Sequence, residues 1–198
     1  YNGKKVSYGL NKGDWTVQNV EFLRDGIEFD VLHKGKVQEK LFVPMFGQYN
    51  IGNALSVYAL SKELGFKSDL VESFKAFKGV KRRQELIGEP CGIQVIEDFA
   101  HHPTAVKATI ESFQKRKNKG KLFVVFEPRS NTSRRKIFQE QYTEALMLSD
   151  EAYISRPFVG AQKVSEDNSL NVEEMLSRIT QKIPAHSFSQ VEEPIADI

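Results

Sequence analysis

From about residue 92 onward the chain alternates between two periods, and this limits its fold more than any other feature. The runs "GIQVIED", "KLFVVF", "EAYIS" and "AHSFS" have the length and composition of strands. Between them lie residues at helical spacing: Val106, Ile110 and Phe113, then Phe138, Tyr142, Ala145 and Leu146, then Met175, Leu176 and Ile179. A βαβαβαβ order predicts an α/β, Rossmann-like, mostly parallel sheet flanked by helices, because parallel neighbours need a connection long enough to hold a helix. Pro103 suits a first helical turn and Asn171 an N-cap. Lys115, Arg116, Lys117 and Lys119 complement a helix's negative end before Gly120 stops it. The unbroken apolarity of "KLFVVF" predicts a strand buried on both faces.

The first 45 residues are strand-like instead, with "GDWTVQNVEFL" and two extended runs around His33-Lys34-Gly35-Lys36, where Gly35 suits a tight hairpin. Pro44 closes that segment. In "YNIGNALSVYALSKELGF" the residues Ile51, Leu55, Tyr58 and Ala59 share a helical face, and Gly65 suits the position just past the helix end. A second helix is predicted with Ser68 as N-cap and Leu70, Val71, Phe74 and Phe77 inward. The basic run "KGVKRRQE" interrupts the apolar pattern, so a boundary is expected there, giving an antiparallel-strand plus helix segment over residues 1–80 and the α/β segment over 81–198.

Composition narrows the function classes. A net charge of +2 gives no strong attraction to nucleic acid or to a membrane surface. Cys91 is the single cysteine, so an intrachain disulfide is excluded, which fits a reducing compartment. No run approaches the ~18 apolar residues of a membrane span. No basic-then-apolar leader is seen at Tyr1, so a cytoplasmic location is expected, and the absence of an initiator Met suggests an excised piece of a longer protein. Trp15 and the scattered phenylalanines are most simply core, and Cys91 most simply structural.

Two loops concentrate polar chemistry at predicted strand ends, where open parallel sheets bind ligands. The first, "EDFAHHPT", covers residues 97–104. Asp98 can accept from the two hydroxyls of a ribose, and His101 and His102 can meet phosphate, a metal or a carboxylate. In the plainer reading Asp98 caps the helix that Pro103 begins and the histidines are solvated. Zinc is disfavoured, since adjacent histidines lack i, i+4 spacing. The second loop, "EPRSNTSRR", covers residues 127–135. Arg129, Arg134 and Arg135, with Ser130, Asn131, Thr132 and Ser133, suit a small polar anion. Its plainer reading is a solvated basic loop with Thr132 or Ser133 as N-cap; without interleaved aromatics, nucleic acid is a weaker reading. Asn50 and Asn53, three apart, share a face and suit the edge of a base, although Asn50 alone is most simply an N-cap.

Together these stretches resemble the Mur ligase family of ATP-dependent amide ligases of peptidoglycan assembly. "GQYNIGNALSVYAL" is similar to the family's Gly-x-His-Asn-x-x-Asn-Ala stretch near the end of its central ATP-binding domain, with Tyr49 where the family usually has His. "FKGVKRRQE" resembles the segment leading into the C-terminal domain, and "EDFAHHPTAV" and "FEPRSNTSRR" resemble that domain's first two loops. The resemblance implies ATP-binding roles for Asn50 and Asn53 at the adenine, Arg83 at phosphate or ribose, and Asp98 at the ribose hydroxyls. His101 and His102 would line the closed cleft, and Arg129, Ser130, Asn131 and Thr132 would meet the incoming peptide. No catalytic or metal-ligating residue is assigned.

The loops resemble most the members that join UDP-N-acetylmuramate to the tripeptide L-Ala-γ-D-Glu-meso-diaminopimelate in peptidoglycan recycling, through an acyl phosphate. The alternative is the member that adds L-alanine in biosynthesis, and outside the family a nucleotide- or anion-binding regulatory domain or an RNA-binding module using Lys81 to Arg83 and Arg134 to Lys136. The family's Gly-Lys-Thr phosphate loop is absent from these 198 residues, as is its UDP-sugar domain. The 198 residues end at "VEEPIADI", before the Gly-rich segment that the resemblance leads one to expect near the true C-terminus. ATP and Mg²⁺ would therefore be held mainly by residues elsewhere, and this stretch alone is expected to be inactive.

Overall fold

In the first 45 residues, side chains that alternate inward and outward build a three-stranded antiparallel sheet, seen in a computed structural model that describes residues 3, 5–116, 120–156 and 168–189. Strands β1 (Trp15–Phe22), β2 (Ile27–His33) and β3 (Lys36–Val43) pair in sequence order. The two-residue loop between β2 and β3 has Lys34 at φ 49° and Gly35 at φ 78°. Both left-handed residues match the right-handed twist of the flanking strands, and His33 pairs with Lys36 across the turn as expected.

Ile27, Phe29, Val31 and Leu41 are fully buried under one face of this sheet, together with Trp15. Helix α1 (Gln48–Glu63) covers them with Ile51, Ala54, Leu55, Tyr58 and Ala59. α1 ends as the sequence predicts, with Gly65 at φ 73°. Phe66 N–H donates to Ser61 O at 3.0 Å and Gly65 N–H to Lys62 O at 3.1 Å, the paired bonds of a Schellman closure. Helix α2 (Leu70–Lys75) starts one residue later than predicted, because Asp69, not Ser68, accepts from Glu72 N–H at 3.1 Å. Leu70, Val71 and Phe74 pack partly against the core, whereas Phe77 is exposed. Phe66, Phe99 and Phe123 are exposed too, so the phenylalanines are not uniformly core.

The next two strands correct the predicted topology. β4 (Glu85–Gly88) and β5 (Val95–Glu97) form a two-stranded antiparallel ribbon, so "GIQVIED" has its hydrogen-bonded partner in "ELIG" and not in the parallel sheet. A 3₁₀ turn over Pro90–Gly92, with Cys91 at φ 51° and Gly92 at φ 80°, reverses the chain between them. Closing so short a loop costs little chain entropy. Cys91 sits exposed in that turn rather than packed.

The chain divides into two compact units, Tyr1–Asp98 and Phe99–Ile198. The second begins with α3 (Pro103–Arg116) and is built on the parallel strands β6 (Phe123–Phe126), β7 (Glu151–Ser155) and β8 (Ala185–Phe188), again in sequence order. α4 (Gln139–Leu146) packs against α3 and against α5 (Val172–Ile179). Val106, Ile110, Tyr142, Leu146, Ile154, Met175 and Ile179 make this unit's core. Asn171 caps α5 as predicted, accepting from Glu174 N–H at 3.1 Å. The architecture is thus α/β, a parallel sheet flanked by helices after an antiparallel sheet with its own helices. Among the described residues only β7 is buried on both faces and β6 has one strand partner; Phe123 and Val125 are exposed, against the prediction for "KLFVVF". Lys117, Lys119 and residues 191–198 lie outside the described residues.

Candidate functional site

Asn50 occupies the first turn of α1, but it is not the N-cap. That place is taken by Gly47 at φ 89°, with no side-chain cap bond. Asn50 is buried instead, and its Nδ2 donates to Phe46 O at 2.7 Å and to Gln84 Oε1 at 3.4 Å. Asn53, one turn on, is exposed and its Nδ2 donates to Asn50 Oδ1 at 3.2 Å, so the two asparagines share a face as their spacing predicts. The inner amide is spent on the fold, and the outer one is oriented by it.

Asp98 is half-buried at the end of β5, where its Oδ2 accepts from Gln84 N–H at 3.2 Å. Gln84 thus links the asparagine pair and the carboxylate within the first unit. Sequence reading passed over Gln84, although a buried amide between two exposed arginines and a glutamate interrupts an otherwise solvated run. Arg83 is exposed beside it and its N–H donates to Val80 O at 3.0 Å. Arg82, at φ 58°, pairs with Glu97 at 2.7 Å, which clips the start of the ribbon to its end.

In the second unit the imidazole of His102, not Asp98, stands nearest the cap position of α3: Thr104 N–H lies 3.4 Å from His102 Nδ1, a weak bond. The His102 ring meets Phe138 edge-on, with centroids 5.2 Å apart. His101 is exposed; its Nδ1 lies 3.0 Å from Phe99 O, and its backbone oxygen accepts from the Tyr142 hydroxyl at 2.5 Å. Burial pushes Tyr142 up to about 12, which keeps it a neutral donor at any ordinary pH. Phe138 precedes α4 and Tyr142 lies within it, so α4 and its approach hold both histidines of the first loop.

The second loop follows β6, at the carboxyl end of a parallel strand as predicted; it closes on itself through two serines and is tied to the 169–170 segment, where Leu170 N–H donates to Arg134 O at 2.9 Å. Ser130 N–H donates to Ser133 Oγ at 2.9 Å, and Ser133 N–H donates to Ser130 Oγ at 3.0 Å. This reciprocal pair consumes both hydroxyls, so Ser130 supports the loop's shape. Asn131 Oδ1 accepts from the Arg134 guanidinium at 2.7 Å. Thr132 is half-buried and its carbonyl accepts from Arg135 N–H at 3.2 Å. Arg129 is exposed and has no hydrogen bond or ion pair among the described residues, which leaves its planar fork available to a carboxylate or phosphate.

No cluster of three or more His, Cys, Asp or Glu able to hold an ion exists among the described residues. An oriented carboxylate and an oriented exposed amide suit a ribose and a base edge. Among the described residues no helix is long and apolar enough to cross a membrane.

A family described as "Mur ligase, glutamate ligase domain" matches residues 82–198. A UDP-N-acetylmuramate–L-alanine ligase of Clostridium tetani (strain Massachusetts / E88) is 34% identical over 94% of this chain and 41% of its own length. Among solved structures, the UDP-N-acetylmuramate–alanine ligase of Thermotoga maritima shares the fold, with a TM-score of 0.79 at 23% identity over 98% of this chain and 41% of that one. A murein peptide ligase of Psychrobacter arcticus 273-4 has a TM-score of 0.57 at 28% identity over 96% of this chain and 39% of that one. The chain spans about two fifths of the length of the curated relatives it matches. The likeness to tripeptide-joining members is thus not singled out, since the relatives at 30–34% identity carry the name of the L-alanine ligase. The chain belongs to the Mur ligase family and carries its glutamate ligase domain.

Proposed function

We propose that these residues are the closing wall of an ATP-dependent amide ligase that joins UDP-N-acetylmuramate to L-alanine in the cytoplasm. The observation that carries this is the 34% identity, over nearly the whole chain, to an enzyme named for that reaction. ATP supplies the phosphoryl group that turns the lactyl carboxylate into an acyl phosphate, which the amine then displaces with loss of phosphate. Asp98 holds the ribose hydroxyls, Asn53 meets the adenine edge and Arg83 neutralises phosphate charge. His101 and His102 line the cleft and exclude water that would hydrolyse the acyl phosphate. Arg129 takes the carboxylate of the incoming amine, in a loop shaped by Ser130, Asn131 and Thr132. Residues 1–80 are the end of the central ATP-binding domain and 81–198 the C-terminal domain. Mg²⁺ and the phosphate grip belong to residues outside this stretch.

A second reading keeps the chemistry and changes the amine. The tripeptide L-Ala-γ-D-Glu-meso-diaminopimelate also presents the α-amine of L-alanine. The likeness to a murein peptide ligase at 28% identity and the arginine-bearing second loop favour it. Ligation by the intact enzyme with free L-alanine against the tripeptide separates the two. The expected result is a higher kcat/KM for L-alanine; preference for the tripeptide replaces the first reading by the second. In either case Arg129→Ala should raise the KM for the amine about tenfold, the worth of one charge-assisted contact. An unchanged KM removes Arg129 from the site.

A further inference from the structure

Gln84 lies where two sets of hydrogen bonds cross. Its side-chain Oε1 accepts from Phe46 N–H at 3.1 Å and from Asn50 Nδ2 at 3.4 Å. Its backbone N–H donates to Asp98 Oδ2 at 3.2 Å. Asn50 in turn accepts from Asn53 Nδ2 at 3.2 Å, so a path runs Asn53–Asn50–Gln84–Asp98 inside the first unit; its direct 3.4 Å step from Asn50 to Gln84 is weak, and the firm one passes through Phe46, which accepts from Asn50 at 2.7 Å and donates to Gln84 at 3.1 Å. The side chain is buried while the backbone holds φ 52°, a left-handed conformation that a non-glycine residue adopts only when its surroundings impose it.

A residue that merely filled this space would need no amide. Leucine has a similar volume, but it would remove the 3.1 Å bond that Phe46 N–H makes in a buried place. The amide oxygen can serve two donors at once and carries no charge. The left-handed backbone turns the N–H toward the carboxylate while the side chain reaches the helix start. Through this one residue the loop after β3, the first turn of α1 and the end of β5 are joined.

We infer that Gln84 is a positioning residue for the nucleotide: it fixes the Asp98 carboxylate relative to the Asn50–Asn53 pair, so that ribose and base find their partners already set. This rests on the nucleotide roles proposed above for Asn53 and Asp98. Gln84 touches no substrate and acts only through these neighbours. Fixing them before binding spares the nucleotide the cost of ordering them.

The test is steady-state kinetics of the intact ligase with ATP varied. Gln84→Leu should raise the KM for ATP about tenfold while kcat changes less than threefold, because binding is loosened and the chemistry is not. If the leucine variant does not fold, Gln84→Gly takes its place with the same threshold, since glycine adopts this φ without strain. A KM for ATP within twofold of the parent in the leucine or glycine variant, alongside a tenfold rise in Asp98→Ala, overturns the inference and leaves the nucleotide site standing. A fall in kcat and melting temperature in the leucine variant with the KM for ATP unchanged also overturns it, as the mark of a purely structural residue. If Asp98→Ala and Asn53→Ala both leave the KM for ATP unchanged, the nucleotide assignment is wrong and the inference goes with it.

Discussion

Two buried tyrosines show how much turns on a single partner. Tyr58 sits under the antiparallel sheet, edge-on to Trp15 with centroids 5.7 Å apart, and its hydroxyl has no hydrogen-bond partner among the described residues. Tyr142 donates to His101 O. Removing the hydroxyl should therefore act oppositely at the two sites. Tyr142→Phe should destabilise by about 1 kcal/mol, the net worth of one bond, and Tyr58→Phe should be neutral or stabilising by up to ~1 kcal/mol, since it removes an unsatisfied polar group. Urea titrations of both variants check this. Burial pushes both phenols up to about 12 from an ordinary value of 10.0. Each holds its proton more tightly folded than unfolded, so this stability is fully present below pH 10 and is lost as pH rises toward 12. Melting temperature measured from pH 9 to 12 should fall more steeply for the parent chain than for Tyr58→Phe. None of this was legible in the sequence, which marks Tyr58 and Tyr142 as inward but cannot say which hydroxyl meets a carbonyl from another segment. Asn50 is a similar case: its place at a helix start suggested a cap, but its amide donates to Phe46 O at 2.7 Å and more weakly to Gln84, 34 positions away.

Where secondary structure is decided within a few residues, sequence reading and structure agree. The Lys34-Gly35 hairpin, the Gly65 helix end and the Asn171 cap all follow from local backbone preferences. The start of α2 shows the limit of the same reasoning, because Ser68 and Asp69 are both good N-caps and only geometry separates them. Asp69→Ala should cost about 1 kcal/mol and Ser68→Ala only a few tenths, measured by denaturant unfolding. Equal effects would mean that the helix begins one residue earlier. The larger miss was β5. Its sequence fits a parallel strand as well as a ribbon strand, and the reversal through Pro90–Gly92 brought "ELIG" back onto it. "KLFVVF" misled for a related reason: an apolar run says that a strand can be covered on both faces, not that anything covers it. The first loop shared that miss, since it follows a ribbon strand and not a strand of the parallel sheet. The second lies at a parallel strand's carboxyl end as expected, while its serines proved to be partners of each other.

At the scale of the whole molecule, the family match begins at residue 82, whereas the β4–β5 ribbon clusters with the first compact unit. Ancestry and packing therefore divide the chain at different points. The stretch lacks the Gly-Lys-Thr loop and spans about two fifths of its relatives. Residues 1–198 by themselves should show no substrate-dependent ATP turnover, and the intact enzyme should show it; phosphate release by the isolated stretch would relocate the phosphate grip. The sequence alone determined the α/β class, most element positions, the family and the two polar loops, because periodicity, caps and turns act over distances of a few residues. Only the tertiary structure decided which strand β5 joins, that Asn50 serves the fold, and that Gln84 ties Asn53 to Asp98. Those outcomes depend on which distant donor and acceptor fall within about 3 Å of each other, and that is a property of the folded chain in space.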